Sequence, residues 1–304
     1  MGWFGHNHMP VEGRTILMTG GSEGIGLSAA RIFSSKGANV AIVSRNQAKL
    51  DEAIKRTKTQ AKSPDTQRFH AIAADVAEPG YAERVVADAT AWNDGQPPEI
   101  VWCLAGLATP MLWTEEEAMK AARYSMDVNY FGSAEMSRAI MCAWLLPGQA
   151  EQGAKQPSTK QSRPAAKHII FTGSVLSTFS LAGHGTYAPS KFAVRALADA
   201  LAMEMHLVLP NSVTTAGYER ENATKPQSAE EVASLSIAGL EKGRYFITTA
   251  FVGDLMRWGA MGKSPRNNWF IDTLMASILP LIMLYVTWDM KKVVSSWVKK
   301  NKQS

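Results

Sequence analysis

The chain has 304 residues, of which 46% are hydrophobic, enough for one large α/β domain with an appendage and too many for a chain disordered throughout. Its net charge of +5 comes from residues 257–304, which contain eight basic and two acidic side chains, so the rest of the chain is excluded as a general nucleic-acid binder. Neither Cys103 nor Cys142 has a metal-ligand partner at a useful spacing, so we expect two reduced, largely buried thiols, no metal, and a domain that faces the cytosol.

Strand-like and helix-like segments alternate from the N-terminus. Short apolar runs bounded by turn residues predict strands, and amphipathic runs predict helices. The first seven segments are strand Arg14–Thr19, helix Gly24–Lys36, strand Ala38–Val43, helix Ala48–Gln60, strand Phe69–Ala74, helix Ala82–Trp92 and strand Ile100–Leu104. This order predicts βαβ units and therefore a Rossmann-type, doubly wound parallel sheet with helices on both faces.

The second half of the chain continues the pattern after a long insertion. The predicted segments are helix Asp127–Leu146, a polar loop insertion at residues 148–167, strand His168–Thr172, helix Ala188–Met205, strand His206–Leu209, helix Ala229–Lys242 and strand Tyr245–Thr249. Because a parallel strand needs a connection after a helix, the direct passage from Met205 to His206 leaves two alternatives. Either the helix ends early, near Leu201, or the segment is shortened in a way that displaces the loop from Asn211 onward.

A glycine-rich loop joins the first strand to the first helix. Residues 19–26 read Thr-Gly-Gly-Ser-Glu-Gly-Ile-Gly, a spacing that lets the backbone turn tightly beside a helix N-terminus. Such a terminus binds the pyrophosphate of a dinucleotide, whereas the alternative is a tight turn without a ligand. The predicted cofactor contacts in this loop are Thr19, Gly20, Ser22, Gly24, Ile25 and Gly26.

The end of the second strand predicts which dinucleotide is bound. An acidic residue there would accept hydrogen bonds from the ribose of NAD, but Arg45 can pair with the 2′-phosphate of NADP(H) instead. The alternative for Arg45 is an ordinary surface charge. The other predicted cofactor contacts are Ser44 and Lys49 beside Arg45, Asp75 and Val76 at the adenine edge, and Ala105 and Gly106 next to the ribose.

Tyr187 and Lys191 are four residues apart, which places both side chains on one face of a helix. Reduction of a ketone needs a positioned proton donor, and a nearby ammonium favours the phenolate form of a tyrosine. Lys191 can also hold the ribose next to the nicotinamide. The hydroxyl of Ser174 can hydrogen-bond a carbonyl oxygen on which negative charge develops. Each residue alone is weak evidence, but their order along the chain is informative.

The order of glycine loop, Arg45, Asn129, Ser174, Tyr187 and Lys191 resembles the short-chain dehydrogenase/reductase family over about the first 250 residues. The resemblance implies that Asn129, Ser174, Tyr187 and Lys191 are the catalytic tetrad. It further implies that Asn129 anchors a water that connects Lys191 to solvent. One departure is the turn at residues 103–106, which lacks the polar side chain usual in the family.

Within this family the chain is similar to the 3-ketodihydrosphingosine reductases, the fungal type especially. The resembling stretches are residues 18–22, 44–46, 126–132, 187–193, 217–226 and 262–266, of which the one ending in Thr224-Lys225-Pro226 is the most specific. The resemblance implies NADPH-dependent reduction of the long-chain ketone 3-ketosphinganine at the endoplasmic reticulum membrane. Two alternatives stay open: reduction of another lipid ketone (a retinoid, a steroid or a fatty acyl chain), and NADPH binding without useful catalysis.

The C-terminal region predicts an association with membranes. We divide the chain into a reductase domain at residues 1–256 and a basic, membrane-associated helical tail at residues 257–304. Residues 271–288 are mostly apolar and have Trp269 and Trp288 at their ends, as interfacial aromatics do. A membrane span, a re-entrant segment bent at Pro280 and a buried core helix are the alternatives. The terminal lysines resemble a retrieval signal of the endoplasmic reticulum, which works only on the cytosolic side, and a homo-oligomer stays open.

Overall fold

The computed structural model describes residues 6–146, 166–201, 205–210, 226–262 and 264–279. Within these ranges, seven parallel strands form one sheet in the order β3-β2-β1-β4-β5-β6-β7. The strands are β1 (Thr15–Thr19), β2 (Asn39–Ser44), β3 (Phe69–Ala73), β4 (Ile100–Cys103), β5 (His168–Thr172), β6 (Met205–Leu209) and β7 (Phe246–Thr248). The predicted Rossmann-type parallel sheet is therefore confirmed.

Helices connect the strands and cover both faces of the sheet. They are α1 (Gly24–Ser35), α2 (Gln47–Lys58), α3 (Tyr81–Trp92), α4 (Ala118–Ser125), α5 (Gly132–Leu145), α6 (Ala188–Ala200), α7 (Ala229–Glu241), α8 (Phe251–Gly259) and α9 (residues 269–279). Sequence patterning did not predict α4 or α8, whereas α9 overlaps the apolar segment 271–288 of the predicted helical tail, of which residues 280–288 lie outside the described residues.

Two apolar cores lie on opposite faces of the sheet. Side chains of α1, α2 and α7, including Phe33 and Leu50, pack on one face with Ile16 and Ile42. Those of α3, α5 and α6 pack on the other face. Since alternate residues of a strand point to opposite faces, each inner strand contributes to both cores, and its apolar run is continuous.

A π-helical turn at Met126–Phe131 joins α4 to α5, so the helical segment begins at Ala118, nine residues before the start of the single predicted helix Asp127–Leu146. Asn129 lies in this turn and is buried. Such turns often occur at functional sites, because the widened backbone redirects side chains and carbonyl groups.

The helix from Ala188 ends at Ala200, with Leu201 as its C-cap, and does not reach Met205. The predicted boundary was wrong, and the alternative of an early end near Leu201 is confirmed. β6 pairs with β5 in regular register from Met205 opposite Ile169. The sheet is therefore continuous across the short connection. The insertion at residues 148–165 and the loop at residues 211–225 lie outside the described residues.

The packed unit continues beyond residue 256, where sequence patterning places the start of the tail. The side chain of Asn267 bonds the backbone of Phe246 on the edge strand β7, through its Oδ1 at 3.0 Å and its Nδ2 at 2.5 Å. Ser264 donates to Asp199 of α6 at 2.6 Å. In the part of the chain that the structure describes, no helix combines the length and the apolar character needed to cross a membrane.

Candidate active site

The glycine loop is shaped by close contacts at the carboxyl ends of β1 and β4. Gly20 has φ +72°, and a Cβ built there would lie 2.7 Å from the backbone nitrogen of Ala105. A Cβ at Gly26 would lie 2.1 Å from the carbonyl oxygen of Gly20. Any side chain at either position would push the loop away from the sheet. Both glycines are thus required by the tight turn that sequence patterning predicted.

Thr19 acts inside this loop. Its Oγ1 accepts hydrogen bonds from the backbone nitrogens of Leu104 and Ala105 at 3.1 and 3.2 Å. The threonine therefore holds the turn after β4, including the residues where the family's polar side chain is missing. This places Ala105 and Gly106 beside the glycine loop, as predicted for residues that line a ribose site.

The first turn of α1 faces the sheet edge without a side-chain cap. Glu23 is the N-cap residue and makes no side-chain bond to the helix, while Ser22 instead donates to Ser44 Oγ at 2.9 Å. The backbone N–H groups of Gly24, Ile25 and Gly26 can therefore donate to an anion, which the positive end of the helix dipole favours. This arrangement fits the pyrophosphate of a dinucleotide.

Arg45 stands at the carboxyl end of β2 with its side chain 66% exposed. Its Nη1 donates to the Tyr124 hydroxyl at 2.9 Å and lies 3.7 Å from the Asp75 carboxylate. Lys49 pairs with Glu23 at 2.8 Å. The two cations thus flank the glycine loop and can exchange these exposed, weak partners for a phosphate. Sequence patterning missed Tyr124, because nothing in its local sequence distinguishes it from a surface residue.

Asp75 and Val76 follow β3 along the same edge. The Asp75 carboxylate accepts from the backbone nitrogen of Ala77 at 3.0 Å, which fixes the turn. Val76 contacts the start of α5, where a Cβ at Gly132 would lie 2.9 Å from the Val76 carbonyl oxygen. The predicted adenine-edge residues are therefore held next to Arg45 and next to the π-helical turn.

Lys191 is buried, and its ammonium lies at the carboxyl end of β5. Nζ donates to the carbonyl oxygen of Thr172 at 2.9 Å and lies 5.8 Å from the centre of the Tyr187 ring. A Cβ at Gly106 would lie 3.3 Å from Nζ and 3.0 Å from Asn129 Oδ1. Burial lowers the pKa of Lys191 to about 8, because the charged form loses its hydration. The structure thus brings Gly106, Asn129, Tyr187 and Lys191 together.

The Asn129 side chain links three segments of the site. It accepts from the backbone nitrogen of Leu107 at 2.9 Å and donates to the carbonyl oxygen of Leu107 at 3.0 Å. It also donates to Ser190 Oγ at 2.8 Å, and Ser190 in turn donates to the carbonyl oxygen of Tyr187 at 2.7 Å. Sequence reasoning missed Ser190, although its place next to Lys191 on a buried helix face was a usable signal.

Ser174 begins the short 3₁₀ turn Val175–Ser177 just beyond β5. Its Oγ accepts from the backbone nitrogen of Leu176 at 3.2 Å, and its own backbone nitrogen donates to Ser177 Oγ at 3.0 Å. This reciprocal capping box fixes the serine rotamer while its hydroxyl proton can still be donated. Arg195 of α6 donates to the Ser177 carbonyl at 3.4 Å. The turn is thereby tied to the helix that carries Lys191.

Comparisons with known proteins agree with this geometry. The family model described as short chain dehydrogenase matches residues 14–228. The chain is 49% identical to the Neurospora crassa protein named 3-ketodihydrosphingosine reductase gsl-3, with 96% of this chain and 84% of that protein covered. It is 38% identical to 3-ketodihydrosphingosine reductase ksrA of Aspergillus fumigatus, with 97% and 87% covered.

A solved short chain dehydrogenase from Burkholderia cenocepacia, in complex with NADP, has the same fold. The TM-score is 0.65 at 21% identity, and the match covers 84% of this chain and 95% of that chain. The family model, the similar fungal proteins and the shared fold lead to one conclusion. This chain belongs to the short chain dehydrogenase family.

Proposed function

We propose that this chain is an NADPH-dependent reductase that converts 3-ketosphinganine to sphinganine in sphingolipid synthesis. The observation that carries the proposal is the 49% identity to the Neurospora crassa 3-ketodihydrosphingosine reductase across 96% of this chain and 84% of that protein. The continuous sheet across the short connection after Leu201 speaks against the alternative of a binding protein with impaired catalysis.

The proposed reaction adds a hydride to the C3 carbonyl carbon and a proton to its oxygen. NADPH supplies the hydride when it is bound. The Tyr187 hydroxyl donates the proton, and the hydroxyl of Ser174 donates a hydrogen bond to the same oxygen. Because Ser174 Oγ already accepts from Leu176, its rotamer is fixed before the substrate arrives, and the oxyanion meets a preorganised donor.

Lys191 stabilises the Tyr187 phenolate after the proton has left. Its ammonium has three donors, of which one is used by Thr172, so the others can reach a ribose hydroxyl and the phenol. Asn129, through Ser190, holds the backbone carbonyl of Tyr187. Asn129 thus acts in this proposal on the position of the proton donor, in addition to the water that the family resemblance implies.

Arg45 makes the cofactor choice in this proposal. The residues present fit NADP(H): the uncapped first turn of α1 suits the pyrophosphate, and the exposed Arg45 and Lys49 suit a 2′-phosphate. Guanidinium binds phosphate through two parallel hydrogen bonds, which an NAD ribose cannot offer.

A ketone panel tests the substrate. The purified full chain in detergent micelles is given NADPH or NADH with 3-ketosphinganine, a steroid ketone, retinal and a 3-ketoacyl ester, and cofactor absorbance is followed. We expect turnover of 3-ketosphinganine with NADPH. Turnover of another ketone, without turnover of 3-ketosphinganine, would overturn the substrate assignment and keep the reductase.

Tyr187→Phe tests the chemistry. Removing the proton donor should lower kcat by about 10²–10⁴-fold, because general acid catalysis contributes that much. NADPH affinity, measured by fluorescence titration, should change less than threefold. A variant that keeps a tenth or more of the activity would show that another group donates the proton.

We also propose that the enzyme works at the cytosolic face of the endoplasmic reticulum membrane. The apolar tail of a long-chain ketone needs a membrane as its reservoir, and the basic C-terminal region suits an anionic leaflet. Fractionation of cells that express the full chain should recover it with microsomes, and added protease should degrade the catalytic domain without detergent. Recovery in the soluble fraction, or protection from the protease, would contradict this location.

A further inference from the structure

The outward face of α9 is apolar, which is unusual for a helix on a protein surface. Phe270, Ile271, Leu274 and Ile278 are 68%, 48%, 49% and 45% exposed. Their spacing of three and four residues places them on one side of the helix. A surface helix normally presents charged and polar side chains on that side. This face therefore points to contact with an apolar medium.

The only charged residue in the sequence of α9 points the other way. Asp272 is buried on the inner side of the helix, as is Leu279. Arg257 of α8 donates to both carboxylate oxygens of Asp272 at 3.1 Å each. Trp258 Nε1 donates at 2.7 Å, and the backbone nitrogens of Asn267 and Asn268 donate at 2.7 and 3.1 Å. We call these five bonds the Asp272 latch.

The latch fixes how α9 can meet a membrane. Burial disfavours the charged carboxylate, but the bonds from Arg257, Trp258 and Asn268 and the charge of Arg257 outweigh burial and lower the pKa of Asp272. A transmembrane segment that starts at residue 271 would have to break all five bonds. The helix therefore lies along the domain.

The helix that holds the latch also reaches the active site. The first turn of α8 exposes Phe251 and Val252, and a Cβ at Gly253 would lie 3.4 Å from Val175, next to Ser174. Its last turn carries Arg257. Arg195 and Asp199 of α6 bond Ser264, just before α9. Direct contacts therefore connect a surface that binds α9 to the helix that carries Lys191 and begins after Tyr187.

The sequence around α9 indicates which medium covers its outward face. The chain continues from residue 280 with an apolar stretch to Trp288, followed by five lysines and one aspartate at residues 289–304. A basic segment that follows apolar residues in sequence is typical of chains that meet the surface of an anionic lipid bilayer. Two copies of the chain, each with a net charge of +5, would repel each other.

We propose that the outward face of α9 is a docking surface that lies flat in the interface of an anionic phospholipid bilayer, while the Asp272 latch keeps the helix on the catalytic domain. This rests on the proposed membrane association and names the surface responsible. It assigns residues 269–279 an interfacial position and no part in a span.

Vesicle binding of the full chain tests this surface. Leu274→Glu is compared with Leu235→Glu. Leu235 is 42% exposed, against 49% for Leu274, and lies on α7, on the opposite face of the sheet. Co-flotation is measured with vesicles of phosphatidylcholine alone and with added phosphatidylserine. Leu274→Glu should weaken binding at least tenfold, the effect of no longer burying one leucine side chain. Leu235→Glu should stay within twofold, and binding should be stronger to the anionic vesicles.

Three controls keep the outcomes distinct. Thermal unfolding and 3-ketosphinganine turnover in micelles report on the fold and on the proposed function separately, and Ile278→Gln is a milder second variant if Leu274→Glu does not fold. Unchanged vesicle binding in both outward variants would overturn the proposal. So would conversion of a dimer to a monomer on size-exclusion chromatography with vesicle binding unchanged, since a second copy would then occupy the face.

A depth measurement tests the orientation. Leu274→Cys in a Cys142→Ser background is labelled with an environment-sensitive fluorophore and bound to anionic vesicles. Quenchers attached near the lipid headgroups should quench this label more strongly than quenchers at mid-chain. Stronger quenching from mid-chain would place α9 in the hydrocarbon core and overturn the interfacial position.

Discussion

Two cations are buried to the same extent in this molecule, Lys191 at the active site and Arg257 on α8, each 4% exposed. Arg257 is neutralised by the Asp272 carboxylate through two bonds. Lys191 bonds a backbone carbonyl, which carries only a partial charge, and burial lowers its pKa to about 8. The first arrangement satisfies the charge and locks two helices together. The arrangement at Lys191 leaves the positive charge only partly neutralised. Such a charge is useful only if a bound ligand supplies the missing interactions.

The difference teaches how to separate a structural charge from a functional one. A buried ion pair can be replaced by apolar residues at little cost, but removing one partner is severe. A buried cation without an anionic partner destabilises the empty fold and is a candidate for function. Four substitutions or titrations test this contrast.

The largest effect is expected for Lys191→Met. Turnover should fall by about 10²–10⁴-fold, because the charge that supports the Tyr187 phenolate is lost. The cofactor-free protein should nevertheless become more stable at pH 7 by roughly 1–3 kcal/mol, since each tenfold displacement of the proton equilibrium corresponds to about 1.4 kcal/mol and one hydrogen bond is lost. Thermal unfolding measures the change, with the exposed Lys242→Met as the control. If Lys191→Met were less stable than the wild-type protein, the buried ammonium would not destabilise the empty fold.

Asp272→Ala should have the opposite consequence. It leaves Arg257 buried without its partner and should destabilise the fold by about 3–5 kcal/mol. The double variant Arg257→Met with Asp272→Leu should recover most of that loss. Denaturant unfolding of the single and double variants measures both. If the single and the double variant were destabilised equally, apolar side chains could not replace the ion pair.

Arg45 extends the comparison to an exposed cation. Arg45→Asp should reduce the preference for NADPH over NADH by roughly 10–100-fold, the worth of one or two hydrogen bonds to a charged group. Its stability effect should stay within about 0.5 kcal/mol, as for most surface substitutions. Steady-state kinetics with both cofactors measure the preference, and Lys49→Ala should change it less. If the NADPH preference survives Arg45→Asp, another group reads the 2′-phosphate.

Sequence patterning predicted the sheet well because inner parallel strands bury both faces and appear as unbroken apolar runs. It placed Asn129, Tyr187 and Lys191 in the order that the fold then brings together. It missed the π-helical turn at Met126–Phe131, since the widening depends on tertiary packing and leaves no local signature. Tyr124 acts through a contact with Arg45, 79 residues away in sequence, which no local pattern contains. Ser190 bonds Asn129, 61 residues away, and only its place next to Lys191 gave a local signal.

The C-terminal region shows a second limit of sequence patterning. An apolar run interrupted by Asp272 has the composition of a membrane segment, because composition does not say which side of a helix faces the protein. The Asp272 carboxylate faces the protein because Arg257, fifteen residues earlier in sequence, is buried there and donates hydrogen bonds to it. Burial of Arg257 could not be read from a helix whose exposed start, Phe251 and Val252, is more apolar than its buried end.

The pH dependence of NADPH binding gives the finest test of Lys191, because each step of one pH unit changes the affinity by about tenfold at most. Its folded pKa of about 8 lies below the ordinary 10.5, so the unfolded chain binds more protons between these values. The stability of the cofactor-free protein should therefore rise with pH from about 8 to 10.5, while the cost of burying the charge is fully present below pH 8.

NADPH affinity should follow the opposite course and fall by up to about tenfold per pH unit above 8, because binding must restore the proton. In Lys191→Met both profiles should be flat across this window, as calorimetry in two buffers of different ionisation enthalpy can establish. If the affinity of the wild-type protein for NADPH did not change between pH 7 and 10, NADPH binding would not require the protonated form of Lys191.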